Sequence, residues 1–267
     1  MRMAQLMVGV FALVLAIGIG AVDAHAQQDV RPREKIQIGL STDTIEITSG
    51  FSGTDLTIFG AIENLDPEVN RQGQYDVVVV LEGPSRGVTV RRKDRVVGIW
   101  VNRHSVELSE IPVSYSMSTT RPLRDIAPET VFRQLGLGID HIPIPEPASP
   151  DSELKTAEYG EALRGIKLSN GLYNVRDGGV RFLSANLFRA SVALAANVPV
   201  GTHTARAFLF RNGAFLSEVK APLIIVKSGA EAAIWNASRD HSLAFGLFAV
   251  ALAILTGWLG RLIFKRD

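Results

Sequence analysis

From Ile36 onward the chain alternates apolar and polar positions with a period of two. Ile36, Ile38 and Leu40 form one set, Ile45 and Ile47 a second, and Leu56, Ile58, Gly60 and Ile62 a third, with residues 49–53 as a loop between them. Successive side chains of a strand point to opposite faces, so each set predicts a half-buried strand. Residues 75–81 break the alternation. Their unbroken run of valines predicts a strand covered on both faces. Apolar pairs at 88–90, 96–101, 106–108 and 113–117 continue the series, and the charged stretch 91–95 predicts an exposed hairpin turn between the first two. Short strands with Gly- and Pro-containing connections predict a mainly β fold, an immunoglobulin-like antiparallel β-sandwich block over residues 36–122.

The pattern changes over residues 123–179, a helical and proline-rich insertion. Pro128 marks a helix start, with Ile126, Val131, Phe132 and Leu135 available for one apolar side. Residues 141–150 contain four prolines, which excludes both a helix and a central strand. Asp151, Ser152 and Glu153 open a second helix reaching about Lys167, and Asn170-Gly171 stops it. Asp177-Gly178-Gly179 returns the chain to β structure for a second block, 180–228. Phe182, Leu187, Phe188, Val192 and Leu194 lead it. Asn212-Gly213 predicts a two-residue hairpin turn between strands at 204–210 and 214–219, and 223–226 supplies a last strand. One sandwich or two satisfy this pattern.

The chain ends carry a different signal. Residues 242–260 run without a charge, and a helix of that length reaches about 28 Å, close to the hydrocarbon thickness of a bilayer. Trp258 falls where an indole rests among headgroups, and Arg261, Lys265 and Arg266 follow in a short tail, 261–267. Basic residues beyond a span mark its cytoplasmic side. At the other terminus Arg2, the apolar run 8–22 and Ala24-His25-Ala26 predict a signal peptide, 1–26, followed by a linker, 27–35. Together these place a single-pass protein in the inner membrane, with the folded part periplasmic, a juxtamembrane linker at 229–241, and the C-terminus cytoplasmic. Ala249, Ala253 and Gly257 stack on one face of the span, where a partner helix can approach closely, and Thr256 beside them can hydrogen-bond it.

Composition then removes function classes. The chain has no cysteine, which excludes disulfides, thiolate metal sites and thiol catalysis. Lys and Arg number 28 against 27 Asp and Glu, a balance that argues against nucleic acid as a partner. No G-x-S-x-G, phosphate-loop or H-E-x-x-H signature is present, so neither an enzyme nor a bound cofactor is expected. His104, His141, His203 and His241 are read as scattered surface or loop histidines rather than a metal site, and Asp43, Glu46 and Asp55 as solubilising strand-edge residues. One cluster invites chemistry. Arg91, Arg92, Arg95 and Arg103, with Trp100 nearby, could bind a small oxyanion, since guanidinium forks match such groups; as a hairpin tip they would form a solvated charge run or a contact for lipid headgroups.

Seven stretches, at 55–62, 75–80, 95–102, 171–173, 180–183, 198–202 and 256–259, resemble the Alph_Pro_TM family of alphaproteobacterial transmembrane proteins, and the resemblance runs from about Ile36 to Asp267. The family has no established activity, so the resemblance carries over no catalytic residue. It implies association with permeases of the sulfite-exporter type. The expectation is therefore a non-catalytic accessory subunit of a membrane complex, with the bilayer and a transporter-like protein as partners. A periplasmic oxyanion-binding module is the alternative, and a hydrolase built on the sandwich a third reading.

Overall fold

In the computed structural model, which describes residues 33–73, 75–144 and 150–263, the valine run becomes β4 (Tyr75–Glu82), a strand buried on both faces. Its odd positions Val77, Val79 and Leu81 join one apolar core, and its even positions Val78 and Val80 join another. The expected signal peptide and cleavage site, most of the 27–35 linker, Pro145 and Pro147, and the tail beyond Ile263 lie outside the described residues.

The strand centres a six-stranded sheet ordered β2 (Thr44–Ile47), β12 (Ala214–Lys227), β11 (Gly201–Arg211), β4, β7 (Tyr115–Thr119), β8 (Tyr173–Arg176). A second sheet holds β1 (Lys35–Leu40), β3 (Thr54–Glu63), β10 (Leu187–Leu194) and β9 (Val180–Phe182), in that order. The two pack face to face. Ile36, Leu56, Ile58, Phe188 and Val192 from one sheet meet Val79, Ala205, Ala207, Leu223 and Ile225 from the other. Residues before and after the insertion thus share one core, and the fold is a single mainly β sandwich. Two edge pairings, β2 with β12 and β7 with β8, are parallel, a departure from the all-antiparallel immunoglobulin pattern.

Side-chain hydroxyls close the sandwich along one edge. The short β9 pairs with β10 only at residues 188–190, leaving later β10 carbonyls without a strand partner. Ser116 and Ser118 of β7 point into the gap and donate to Ala193 O and Ser191 O, both at 2.6 Å. A buried carbonyl must find a donor, and two serines in a strand otherwise apolar on its other face supply it. Close packing also fixes Gly60 in β3: a Cβ there would lie 2.2 Å from Phe188 Cζ and 2.6 Å from Gln37 O.

The insertion covers the outer face of the six-stranded sheet. The helix expected to start at Pro128 forms as α3 (Glu129–Leu135), with Pro128 at its N-cap, and a separate short helix, α2 (Leu123–Ile126), precedes it. A five-residue helix, α1 (Pro67–Arg71), precedes β4. Phe132 of α3 packs edge-to-face on Phe210 at 5.7 Å, and Gly136 ends the helix in the left-handed region. After a 3-10 turn (Ile139–His141), α4 (Pro150–Ser169) ends at Gly171, also left-handed. Strands expected at 214–219 and 223–226 are one continuous β12. Pro222, which has no N–H to give, sits before the point where β2 joins that edge.

Candidate functional site at the anchor end of the sandwich

Strand register places four strand ends together. Glu82 at the end of β4 lies opposite Tyr115 at the start of β7 and Thr204 near the start of β11, while Gly201 of β11 lies opposite Ile225 near the end of β12. From this end β12 delivers the chain to α5 (Ala230–Asp240) and α6 (Ser242–Ile263), which follow each other almost without a break through His241. Within residues 242–261 of α6 an 18-residue stretch has a mean hydropathy of 2.1, and none of that stretch is buried against the rest of the protein. A core helix of a soluble domain would be covered. Trp235, carrying the Arg239 guanidinium at 4.7 Å over its ring, and Trp258 stand near the two ends of this apolar stretch, where indoles prefer a membrane interface.

Ala249, Ala253 and Gly257 lie on α6 at the expected four-residue spacing, and nothing comes within 4 Å of a Cβ built at Gly257. The Thr256 hydroxyl donates to Leu252 O of its own helix rather than standing free for a partner.

Beside the exit of β12 a second element leaves the same end. Pro84 packs on Gly201, and Arg86 donates to Val200 O at 3.4 Å. From this root run β5 (Ser85–Val96) and β6 (Ile99–Pro112), a two-stranded ribbon whose side support among the described residues comes from α4. Val90, Leu108 and Ile111 pack on Tyr159 and Leu163. Two donors pin the root: Lys167 Nζ to Val113 O at 2.8 Å and the Tyr173 hydroxyl to Pro112 O at 2.9 Å. Burial pushes the Tyr173 hydroxyl up to about 12, so it stays a donor at any physiological pH.

The ribbon corrects the expected turn. Residues 91–95 lie within β5, and the reversal falls at Val97-Gly98, with φ of 50° and 85°. Alternation divides the arginines. Arg91, Lys93 and Arg95 share one face with Trp100, which is paired with Arg95; Arg92 points to the other, toward Glu158 at 3.2 Å and Asp94 at 3.6 Å. Arg103 occupies the register shift between the Lys93–Asn102 and Arg92–His104 pairs. The four arginines proposed from sequence as one oxyanion site therefore do not converge. Among the described residues Arg91, Lys93, Arg95 and Arg103 have no acidic partner within salt-bridge distance.

A cleft of about 730 Å³ opens at the same end, lined in part by Glu82, Glu110, Tyr115, Arg133 and Arg206. Sequence reading missed it, because its residues come from five separate segments. Arg206 bridges Glu218 at 2.8 Å and Glu82 at 2.9 Å and lies 4.8 Å over the Phe208 ring. Burial disfavours its charge, but the Glu218 hydrogen bond and both carboxylates outweigh that and raise its pKa. Its charge is thus matched internally.

The remaining polar candidates are structural. His203, expected at the surface, is fully buried in β11. A neutral ring protonated at Nδ1 donates to Gly201 O and accepts from the Ser114 hydroxyl at Nε2, both at 3.2 Å, and burial lowers its pKa. Asp55 is held by Arg176 at 2.8 Å and by Ser191, while Asp43 and Glu46 belong to the other sheet's edge. No group of three metal-ligating side chains occurs among the described residues.

A family model described as "Putative transmembrane protein (Alph_Pro_TM)" matches residues 35–266. The chain belongs to the Alph_Pro_TM family. The family match and the uncovered α6 make it a membrane protein with one candidate span among the described residues. No curated protein matches the chain. Among solved structures it is similar to Spo0M, a sporulation control protein from Bacillus subtilis, with 7% identity, 74% of this chain and 51% of that chain covered, and a TM-score of 0.24. It is also similar to AggA, the major subunit of aggregative adherence fimbriae type I from Escherichia coli, with 12% identity, 74% and 98% covered, and a TM-score of 0.25. The chain spans about half the length of the Spo0M chain. At such TM-scores neither likeness carries an argument.

Proposed function

We propose that this Alph_Pro_TM member is a single-pass inner-membrane protein whose sandwich sits on the periplasmic side and serves as a non-catalytic accessory subunit of a membrane complex. The observation that carries the reading is α6, an apolar helix with no cover from its own domain, presenting Ala249, Ala253 and Gly257 as a strip where another helix can pack. Orientation follows from Arg261, Lys265 and Arg266 beyond the span and from the apolar, small-residue-terminated N-terminus. A permease of the sulfite-exporter type, implied by the family resemblance, is the first partner to try.

Affinity purification from native membranes in mild detergent tests this. An integral membrane protein should co-purify with the intact chain, and Gly257→Leu should deplete it, because a branched side chain on the strip holds the helices apart. Recovery of the intact chain alone, unchanged by Gly257→Leu, would remove the proposal.

A further inference from the structure

The β5–β6 turn is built against local preference. The same two-residue geometry recurs between β11 and β12, where Asn212 and Gly213 have φ of 50° and 83°. There Asn occupies the left-handed position, as expected for a residue that tolerates it. At the ribbon tip that position is Val97, a β-branched residue for which positive φ is a genuine outlier, and it is 96% exposed. Ile99 and Trp100 beside it are 68% and 65% exposed, and Val96 and Val101 are exposed as well. Among the described residues nothing covers this tip. A strained, exposed apolar tip persists where something outside the domain uses it.

We infer that the tip of the β5–β6 ribbon dips into the bilayer surface, with Val96, Val97, Ile99 and Trp100 below the headgroups and Arg91, Lys93, Arg95 and Arg103 against anionic lipid. Three observations select lipid over a protein partner. The root at Pro84 packs on Gly201, itself opposite Ile225, so the ribbon leaves the sandwich where the chain leaves for its membrane span. An indole with aliphatic neighbours at the end, backed by basic residues, has the composition of an interfacial anchor. The cations behind the tip lack acidic partners among the described residues and complement a negative headgroup layer. From Ser85 to Val96 the ribbon extends about 40 Å, a reach that a surface turn would not need. The inference rests on the span holding the domain at a membrane and not on any partner protein.

The chain contains no cysteine, so single-cysteine labels report one site each. Val97→Cys and, as control, Ala214→Cys at the opposite end of β11–β12 would be labelled with an environment-sensitive fluorophore. The full chain would then be reconstituted into phosphatidylethanolamine/phosphatidylglycerol vesicles. The expected result is a blue-shifted Val97 label quenched by lipid-borne nitroxide and protected from iodide, with the Ala214 label behaving oppositely. Each basic residue near an anionic surface raises the inserted population about fivefold, so Lys93→Gln should lower the inserted-to-free ratio by about that factor. Replacing phosphatidylglycerol with phosphatidylcholine should lower it further. Equal iodide access at Val97 and Ala214 would overturn the inference. So would Val97 shielding without lipid quenching, which, together with Val97-to-Val97 crosslinks between copies, would assign the tip to a second copy. Failure here with an intact co-purifying partner would leave the accessory-subunit reading standing, and loss of that partner with the tip inserted would leave this one.

Discussion

The clearest energetic test concerns Asp76, a carboxylate inside β4 that is only 3% exposed. Arg121 holds it with two bonds, Nε to Oδ1 at 2.9 Å and an Nη to Oδ2 at 2.6 Å, and Thr120 donates its hydroxyl at 2.8 Å. The pair is asymmetric, because the Arg121 side chain is 47% exposed. Removing Arg121 strands a buried charge; neutralising Asp76 merely frees an arginine that can turn to water. Breaking a buried pair from one side costs about 3–5 kcal/mol, and the exposure of Arg121 puts Arg121→Ala near the lower end, about 3 kcal/mol. Asp76→Asn keeps the acceptor for Thr120 and loses only the charge-assisted part of the Arg121 bonds, about 1–2 kcal/mol. At about 2–4 °C per kcal/mol for a domain of this size, Arg121→Ala should melt roughly 6–12 °C below the parent and Asp76→Asn about 2–8 °C below. The double variant should resemble Asp76→Asn alone, so the second substitution rescues the first. Thermal unfolding of the full chain in detergent, followed by near-ultraviolet circular dichroism, reads all four proteins. If Asp76→Asn proves as costly as Arg121→Ala, or if the double variant is worse than Arg121→Ala, the desolvation argument is wrong.

Gly60→Ala should cost about 3 kcal/mol, since its Cβ meets the Gln37 carbonyl in the paired strand, whereas Gly39→Ala, with open space around it, should stay within about 0.5 kcal/mol; equal melting temperatures would refute the packing. His203 has a folded pKa below its unfolded value of 6.5, so the unfolded chain binds the extra proton. Stability should fall as pH drops below about 6.5, by at most about 1.4 kcal/mol per pH unit, and level off once the folded pKa is passed. Denaturant midpoints between about pH 7 and pH 5 should lose that slope in His203→Gln, and an unchanged slope would clear His203 of the effect. Val97→Asn should raise the melting temperature by relieving about 1 kcal/mol of left-handed strain, and a loss of stability would show that the turn is not the strained one described.

Most of the sandwich was legible in the order of residues, for a definite reason. Wherever one face of a strand is buried, period two is enforced, and Ile36 to Leu40 and Leu56 to Ile62 show it, while the unbroken valines of β4 mark a strand buried on both faces. The Asn212-Gly213 turn was legible because its residues match its backbone. What escaped was whatever depends on separation in sequence. The parallel pairing of β8 with β7 joins segments far apart in the chain, and the Glu82–Arg206–Glu218 cluster of the cleft draws on three strands. The burial of His203 follows from the second sheet above it, which no local pattern encodes.

The basic ribbon was misread for a more instructive reason. Charge was taken as the mark of a turn, and the apolar stretch 96–101 as a strand flanking it, whereas the cations lie within β5 and the turn falls inside the apolar stretch, at Val97-Gly98. Both assignments assume that apolar means inside, a rule that holds for a chain surrounded by water on every side. This chain carries an uncovered apolar helix leaving the same end of the same sandwich. Beside a bilayer the rule divides in two: apolar groups seek either the core or the lipid, and cations gather one layer behind the second kind. The inversion of the ribbon is thus what the membrane account predicts for an element that faces lipid, and a soluble accessory domain would have no cause to show it.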